Sequence, residues 1–172
     1  MAETGTVSMG LGFAKMPENT IFLNQTLWCS IGWATPAALG VALAAPERRV
    51  VLISGDGAHQ FTVQEIGQFA RFGIKPVIIV LNNDGYLIER LLCKDPDIFY
   101  NDLAQWRYST LPEAFGCKNW LSVKVATNGE LAEVFKKIEG CDCGVYIEVC
   151  MDKMAASELA MKIHDSIKSL YS

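Results

Sequence analysis

No stretch of this 172-residue chain approaches the roughly 18 continuous apolar residues that a bilayer span needs. The apolar run Val77–Leu81 is short enough to read as a buried strand. The N-terminus MAETGT offers neither a basic nor an apolar leader, so no signal peptide is read there and a cytoplasmic chain is expected. Positive charge is not in excess: 15 Lys and Arg face 19 Asp and Glu, a net charge of -4. That excludes the basic face by which proteins hold nucleic acid. Repeats, low-complexity tracts and Pro/Gly/Ser linkers are lacking, as is a GxGxxG turn followed by an acidic residue, which argues against a nicotinamide-binding domain. The six cysteines (Cys29, Cys93, Cys117, Cys141, Cys143, Cys150) lack the paired spacings of a zinc site. Free, mostly buried thiols are expected.

What is present is the composition of a compact globular protein, 51% hydrophobic and 20% charged, at a length that suits one domain over residues 1–172. Short β-branched runs alternate with longer amphipathic stretches, the pattern of βαβ units and a parallel sheet. Arg48–Ser54, Lys75–Asn82, Leu121–Ala126 and Gly144–Cys150 read as strands, the first two apolar throughout as strands covered on both faces are. FTVQEIGQFARFG reads as a helix with Gly73 as its C-cap. Thr35-Pro36 reads as an N-cap with proline at the first helical position. NGELAEVFKKIEG is a third helix with Asn128 as its cap. Ala155–Leu170 is a fourth, with Leu159, Ile163, Ile167 and Leu170 on one face. The expected architecture is a single α/β domain, a doubly wound parallel sheet flanked by helices.

In such sheets ligands bind where loops leave the carboxyl ends of the strands. Two of those loops are unusually polar: SGDGAHQ (Ser54–Gln60) and NNDGY (Asn82–Tyr86). Gly55 and Gly57 let backbone approach an anion, and a following helix turns its N-terminus toward it. Asp56 would repel a bare phosphate, a conflict that a divalent cation between carboxylate and phosphate removes. Magnesium takes one or two protein oxygens plus phosphates and water, and Asn83 and the Gly85 carbonyl supply such oxygens. Either loop alone is equally a good turn; two together, one crossover apart, are a site.

GDG, residues 58–81, then NN resembles the signature of thiamine-diphosphate enzymes. With AETGT, QTLWCSIGW, GYLIER and YNDLAQW added, the chain resembles the C-terminal, diphosphate-binding domain of pyruvate and indolepyruvate decarboxylases from about Ala2 to Glu148. The resemblance implies thiamine diphosphate and Mg2+ as cofactors, with Asp56, Asn83 and the Gly85 carbonyl as metal ligands. It places Thr6, Gly55, Gly57 and Ala58 around the diphosphate, where Ala58 replaces a frequent serine. Ile31 would prop the cofactor in its bent form, and the carbonyl of Cys29 would accept from its aminopyrimidine, at a position where the family commonly has glycine. Glu89 matches the glutamate beside the reacting carbons and is implied to be a partly desolvated proton donor, with Leu87 in place of the usual threonine. Thr4, Ser8, Ile88 and Leu92 match substrate-pocket positions. His59 and His164 read as packing residues.

The resemblance further implies three domains in the complete enzyme. The expectation is that the pyrimidine-binding and middle domains are absent here, and that a glutamate activating the cofactor comes from a partner domain or subunit. A homo-oligomer is expected, with a 2-oxo acid substrate, no nucleic acid and no membrane. Trp28, Trp33, Phe99 and Trp106 are the candidates for an apolar docking surface. Two alternatives stand beside a pyruvate decarboxylase fragment: a noncatalytic binding or assembly module of the same fold, and half of another lyase such as indolepyruvate decarboxylase.

Overall fold

The computed structural model describes residues 1–170, with side chains through Ile167; the side chain of Leu170, expected on the apolar face of the last helix, lies outside the described residues. Four strands, β1 (Val51–Gly55), β2 (Val77–Asn82), β3 (Leu121–Val125) and β4 (Val145–Cys150), form one parallel sheet in the order β1-β2-β4-β3. This is the expected α/β architecture. Register aligns Ile53, Ile79, Ile147 and Val123 across one face and Leu52, Ile78, Tyr146 and Ser122 across the other. Because side chains alternate along a strand, apolar residues at both parities require cover on both faces.

Helices α2 (Ala34–Ala44), α3 (Asp56–Thr62), α4 (Ile66–Arg71) and α6 (Leu111–Ala114) supply one side. There Ala38, Ile66 and Phe69 pack with Leu52, Ile78, Val80 and Tyr146. On the opposite face α7 (Asn128–Ile138) lays Leu131, Val134 and Ile138 over Val77, Ile79 and Ile147. The remaining helices, α1 (Thr6–Leu11), α5 (Leu87–Leu92) and α8 (Glu158–Leu170), share a small cluster of Met9, Leu87, Leu91, Ala156 and Ala160. Among the described residues no helix is long and apolar enough to cross a membrane.

The sequence showed no strand at the very N-terminus, yet Met1–Glu3 runs parallel to the free edge of β1. The Ile53 N–H donates to the Met1 carbonyl at 3.0 Å, and the Glu3 N–H to the Ile53 carbonyl at 2.9 Å. Asn24 bridges to Ala2 on the outer side. The chain runs from Glu3 into α1, which packs against β1 and α8, and from Gly55 into α3, which packs against β1, β2 and α2. Loops that diverge in this way open a crevice at the carboxyl edge of the sheet.

Four local expectations change. Thr35 does not cap α2; it sits inside the first turn, fully buried, and Pro36 follows it one position deeper. The stretch Asp56–Phe72 is not a loop followed by one helix. Helix begins at Asp56 and breaks at Thr62, whose hydroxyl donates to the Gly32 carbonyl at 2.8 Å, and a 3-10 turn (Val63–Glu65) joins α3 to α4. Thr127, not Asn128, caps α7: its hydroxyl accepts from the Glu130 N–H and the Glu130 carboxylate accepts from the Thr127 N–H, a full capping box. Finally, Cys141 and Cys143 are joined in a disulfide, and of the four free cysteines only Cys117 is buried. Their Cα atoms lie 5.5 Å apart, inside the span a disulfide tolerates, so one intervening residue suffices.

Candidate functional site

Asp56 is the residue around which the site is built. It stands at the end of β1, is 2% exposed, and reaches across to the loop after β2. Oδ1 accepts from the Gly57 N–H at 2.8 Å, and Oδ2 accepts from the N–H groups of Asn83 and Gly85, both at 3.2 Å. Burial pushes its carboxyl up to about 6, and these backbone donors pull the other way without overcoming it. A buried carboxylate in this condition is short of positive charge.

The Asn83 amide reaches over this carboxylate, one of its terminal atoms 3.2 Å from Asp56 Oδ1 and 3.1 Å from the Gly85 carbonyl oxygen. Hydrogen bonding puts the amide nitrogen there, donating to both oxygens. A cation in its place would be met by the amide oxygen instead, giving three oxygens spaced close to the roughly 3 Å separation of neighbouring ligands around a cation with 2.0–2.1 Å bonds. The donor set, a carboxylate, an amide and a carbonyl, suits a hard divalent ion. Among the described residues no group of three His, Cys, Asp or Glu offers a rival metal site.

The loop carrying two of these oxygens is held from behind. Arg90, buried on α5, donates to the carbonyls of Asn83 at 3.0 Å, Asp84 at 2.7 Å and Lys153 at 3.2 Å, and pairs with the Asp102 carboxylate at 2.8 Å. A Cβ on Gly85 would run into the Arg90 guanidinium and the Asn101 carbonyl, so glycine there answers to a close approach. The motif YNDLAQW joins the site for the same reason: the Asn101 carbonyl accepts from the Tyr86 N–H, and Asp102 bridges to Gly85. From the other side Asn82 donates to Glu148 at 2.9 Å and accepts from the Asp84 N–H at 3.3 Å.

The remaining positions fall into three groups. Thr6, Gly55 and Asn83 line one cavity of about 540 Å³, with Ile53, Leu81, Leu87 and Val149 at its floor. Gly57 is glycine because a Cβ would strike the Tyr86 ring, and its N–H is engaged by Asp56 rather than turned outward. Ala58 is buried on α3. The segment with Cys29 and Ile31 docks on α3 through Gly32, which lies against Phe61 and the Ala58 carbonyl. Cys29 takes φ +51, the left-handed region that glycine enters freely, which accounts for a glycine preference at this position.

Among the substrate-pocket candidates, Thr4 is buried, whereas Ser8 on α1 and Ile88 and Leu92 on α5 are half-buried. Both helices pack against α8. Glu89 is exposed on α5, so the desolvation implied for it is not supplied by this chain's own atoms. Trp28 and Phe99 are 77% and 83% exposed, but Trp33 and Trp106 pack against the core and are not part of an open surface.

Three buried charges at the site escaped the sequence reading: Glu3, Arg90 and Glu148. Glu3 accepts from its neighbour Thr4 at 2.9 Å and from Ala34 at the start of α2 at 3.1 Å, tying AETGT to the segment that carries Ile31. Each sits inside a motif otherwise explained by apolar or loop residues, and that irregularity was the available signal.

His59 is buried beside Thr35, its Nδ1 3.4 Å from the hydroxyl, and its Nε2 has no partner among the described residues. Burial pulls the imidazole down to about 4 from an ordinary 6.5. Its neutral form thus contributes stability above pH 6.5 that is lost as pH falls through 4. Asp56 has the opposite sign: raised to about 6 from 3.8, it contributes stability below pH 3.8 that is lost as pH rises through 6. Each effect is on the order of 3 kcal/mol, and in the metal-free chain they offset one another. Between pH 6.5 and 4, Asp56→Asn is expected to lose about 3 kcal/mol more unfolding free energy than wild type, and His59→Gln about 3 kcal/mol less. Urea unfolding at the two pH values measures both, and parallel curves for the three proteins would contradict the assignment.

Residues 3–149 match the family model described as thiamine pyrophosphate enzyme, C-terminal TPP binding domain. An alpha-keto-acid decarboxylase of Mycolicibacterium paratuberculosis is 41% identical over 164 residues, 95% of this chain and 29% of the relative. The alpha-keto-acid decarboxylase of Mycobacterium leprae is 44% identical over 155 residues, 90% of this chain and 27% of the relative. The chain thus spans less than a third of the length of these curated relatives. The crystal structure of benzoylformate decarboxylase from Polynucleobacter necessarius superimposes with a TM-score of 0.67 at 26% identity, covering 78% of this chain and 26% of that one. The chain belongs to the thiamine pyrophosphate enzyme family, through its C-terminal cofactor-binding domain.

Proposed function

We propose that this chain is the part of a 2-oxo acid decarboxylase that holds magnesium and the diphosphate end of thiamine diphosphate, with pyruvate as substrate. The observation that carries the reading is the convergence of the Asn83 amide, 3.2 Å from Asp56 Oδ1 and 3.1 Å from the Gly85 carbonyl oxygen, on a carboxylate that burial leaves short of a cation. Asp56 and the Asn83–Gly85 turn hold the metal, and Thr6 and Gly55 line the wall beside it. Ile31 and the Cys29 carbonyl orient the far end of the cofactor. Thiamine diphosphate held there would supply the nucleophilic carbon and the electron sink that decarboxylation of a 2-oxo acid needs. Glu89 delivers a proton on the substrate side. GYLIER and WCSIGW support the pyruvate group, and the relatives' names support 2-oxo acids in general.

The relatives extend far beyond the matched region, and we assign the activating glutamate to a pyrimidine-binding domain or subunit there. Phe13, Leu27, Trp28 and Phe99, all more than three-quarters exposed, support a covered surface and an oligomer in the working enzyme. Alone, the chain is expected to release no carbon dioxide from pyruvate; steady turnover would overturn this division of labour.

Calorimetric titration of thiamine diphosphate with and without magnesium tests the binding itself. Binding is expected to require magnesium and to weaken roughly 100-fold or more in Asp56→Ala, equivalent to about 2.7 kcal/mol. Affinity indifferent to magnesium, or retained in Asp56→Ala, would sink the reading.

A further inference from the structure

At the amino edge of the sheet, the loop before β4 carries the Cys141–Cys143 disulfide. We propose that this pair is a thiol–disulfide exchange site for anionic low-molecular-weight thiols and their disulfides. The stabilisation a disulfide gives grows with the length of chain it closes, and this one spans a single intervening residue, so it does little as a staple. Its backbone is held independently of the sulfurs. The Arg49 guanidinium donates to the carbonyls of Cys141 at 2.9 Å, Cys143 at 2.6 Å and Lys75 at 3.1 Å, while Lys75 pairs with Asp142 between the two cysteines at 2.6 Å. Reduction therefore leaves both thiols facing each other on a fixed frame.

The two cysteines open on different cavities. Cys141 lines one of about 430 Å³ with Arg48, Arg49 and Lys75 against Glu47 and Asp142. Cys143 lines one of about 370 Å³ with Lys75, Lys118 and Trp120. With Lys75 and Asp142 paired, Arg48 and Arg49 outnumber Glu47 and leave the first cavity positive, which suits a carboxylate-bearing thiol. In the oxidising direction the Cys141 thiolate attacks a sulfur of the small disulfide; its S–S bond breaks and one small thiolate leaves and takes up a proton. The Cys143 thiolate then attacks the Cys141 sulfur, expelling the second small thiol and closing the protein disulfide. Two electrons pass from the protein dithiol to the small disulfide, and reduction is the reverse.

The test is to equilibrate the chain in buffers of stepped reduced-to-oxidised glutathione ratio, quench with an alkylating agent and read each cysteine by peptide mass spectrometry. Cys141 and Cys143 are expected to interconvert together within that range, faster than the exposed Cys29, which serves as internal control. Cys143→Ser should trap a mixed disulfide on Cys141. Arg48→Gln should slow reaction with glutathione disulfide roughly 5-fold at low salt while leaving the rate with uncharged hydroxyethyl disulfide unchanged. A pair that stays oxidised or reduced across every ratio, or that reacts no faster than Cys29, overturns the proposal. So does an Arg48→Gln effect equal for both reagents.

Discussion

Replacing Arg90 with alanine is expected to lower the unfolding free energy by about 3 kcal/mol and to weaken magnesium binding roughly 10- to 100-fold. The ion pair with Asp102 is the smaller part of this, because that carboxylate is half-exposed and solvent screens it. The larger part comes from the carbonyls of Asn83, Asp84 and Lys153, which lose their donors at once. Asn83 and Asp84 belong to the turn that presents the Asn83 amide and the Gly85 carbonyl, so loosening their backbone scatters two of the three proposed metal ligands. Arg90→Lys separates the two effects. A single ammonium keeps the charge but cannot span three carbonyls as a planar fork does. It should therefore fold with a loss of about 1–2 kcal/mol while keeping most of the loss in magnesium affinity. Thermal unfolding and magnesium titration of the two variants decide the matter. Wild-type magnesium affinity in Arg90→Lys would show that the turn holds itself without the fork.

The same buried charges mark where sequence reading stopped. Strands β1, β2 and β4 were legible as short, mostly apolar β-branched runs bounded by turn residues, and the edge strand β3 by its alternation of Leu121, Val123 and Val125 with Ser122 and Lys124. The meeting of the two polar loops was legible because Asp56 and the Asn82–Gly85 turn directly follow neighbouring strands. Lost were features decided by contacts distant in sequence. Thr62 breaks a helix because Gly32 offers it a carbonyl. Met1–Glu3 is three residues long and lies along β1 only because Ile53 pairs with it. Thr35 had the residue type of a cap, but a buried histidine rather than a helix end takes its hydroxyl. The cysteine pair was dismissed by asking only about zinc and long-range bridges, although two cysteines separated by one residue, with Cα atoms 5.5 Å apart, lie within bonding range. Burial of Glu3, Arg90 and Glu148 could not follow from periodicity, which reads polar positions as exposed. A lone charge inside an apolar strand such as GVYIEVC is, conversely, a sign that partners await it.

Glu148 illustrates the point and sets the second large expectation. On β4 it falls in the row Ser54, Val80, Glu148, Lys124 and is 0% exposed. Burial, the strongest single influence on its carboxyl, would raise it. Asn82 Nδ2, the Ser109 N–H and Lys124 Nζ together hold it below the ordinary carboxylate range. Glu148→Leu should cost about 3–5 kcal/mol, since it strands the Asn82 amide and the Ser109 N–H in the interior. Lys124→Met should cost less than about 1 kcal/mol, because that ammonium is 59% exposed. The contrast tells which partners matter: fixed buried donors rather than the visible ion pair. A functional consequence follows through Asn82, which accepts from the Asp84 N–H and so shapes the metal turn from the side opposite Arg90. Glu148→Gln tests it in a protein that folds. Its amide must turn N–H toward either Asn82 or Ser109, costing about 2 kcal/mol and lowering magnesium affinity roughly 10-fold. Denaturant unfolding and magnesium titration of Glu148→Gln and Lys124→Met give both readings. If Lys124→Met proves the more costly, the carboxylate is held by its ion pair and the link to the metal turn is broken.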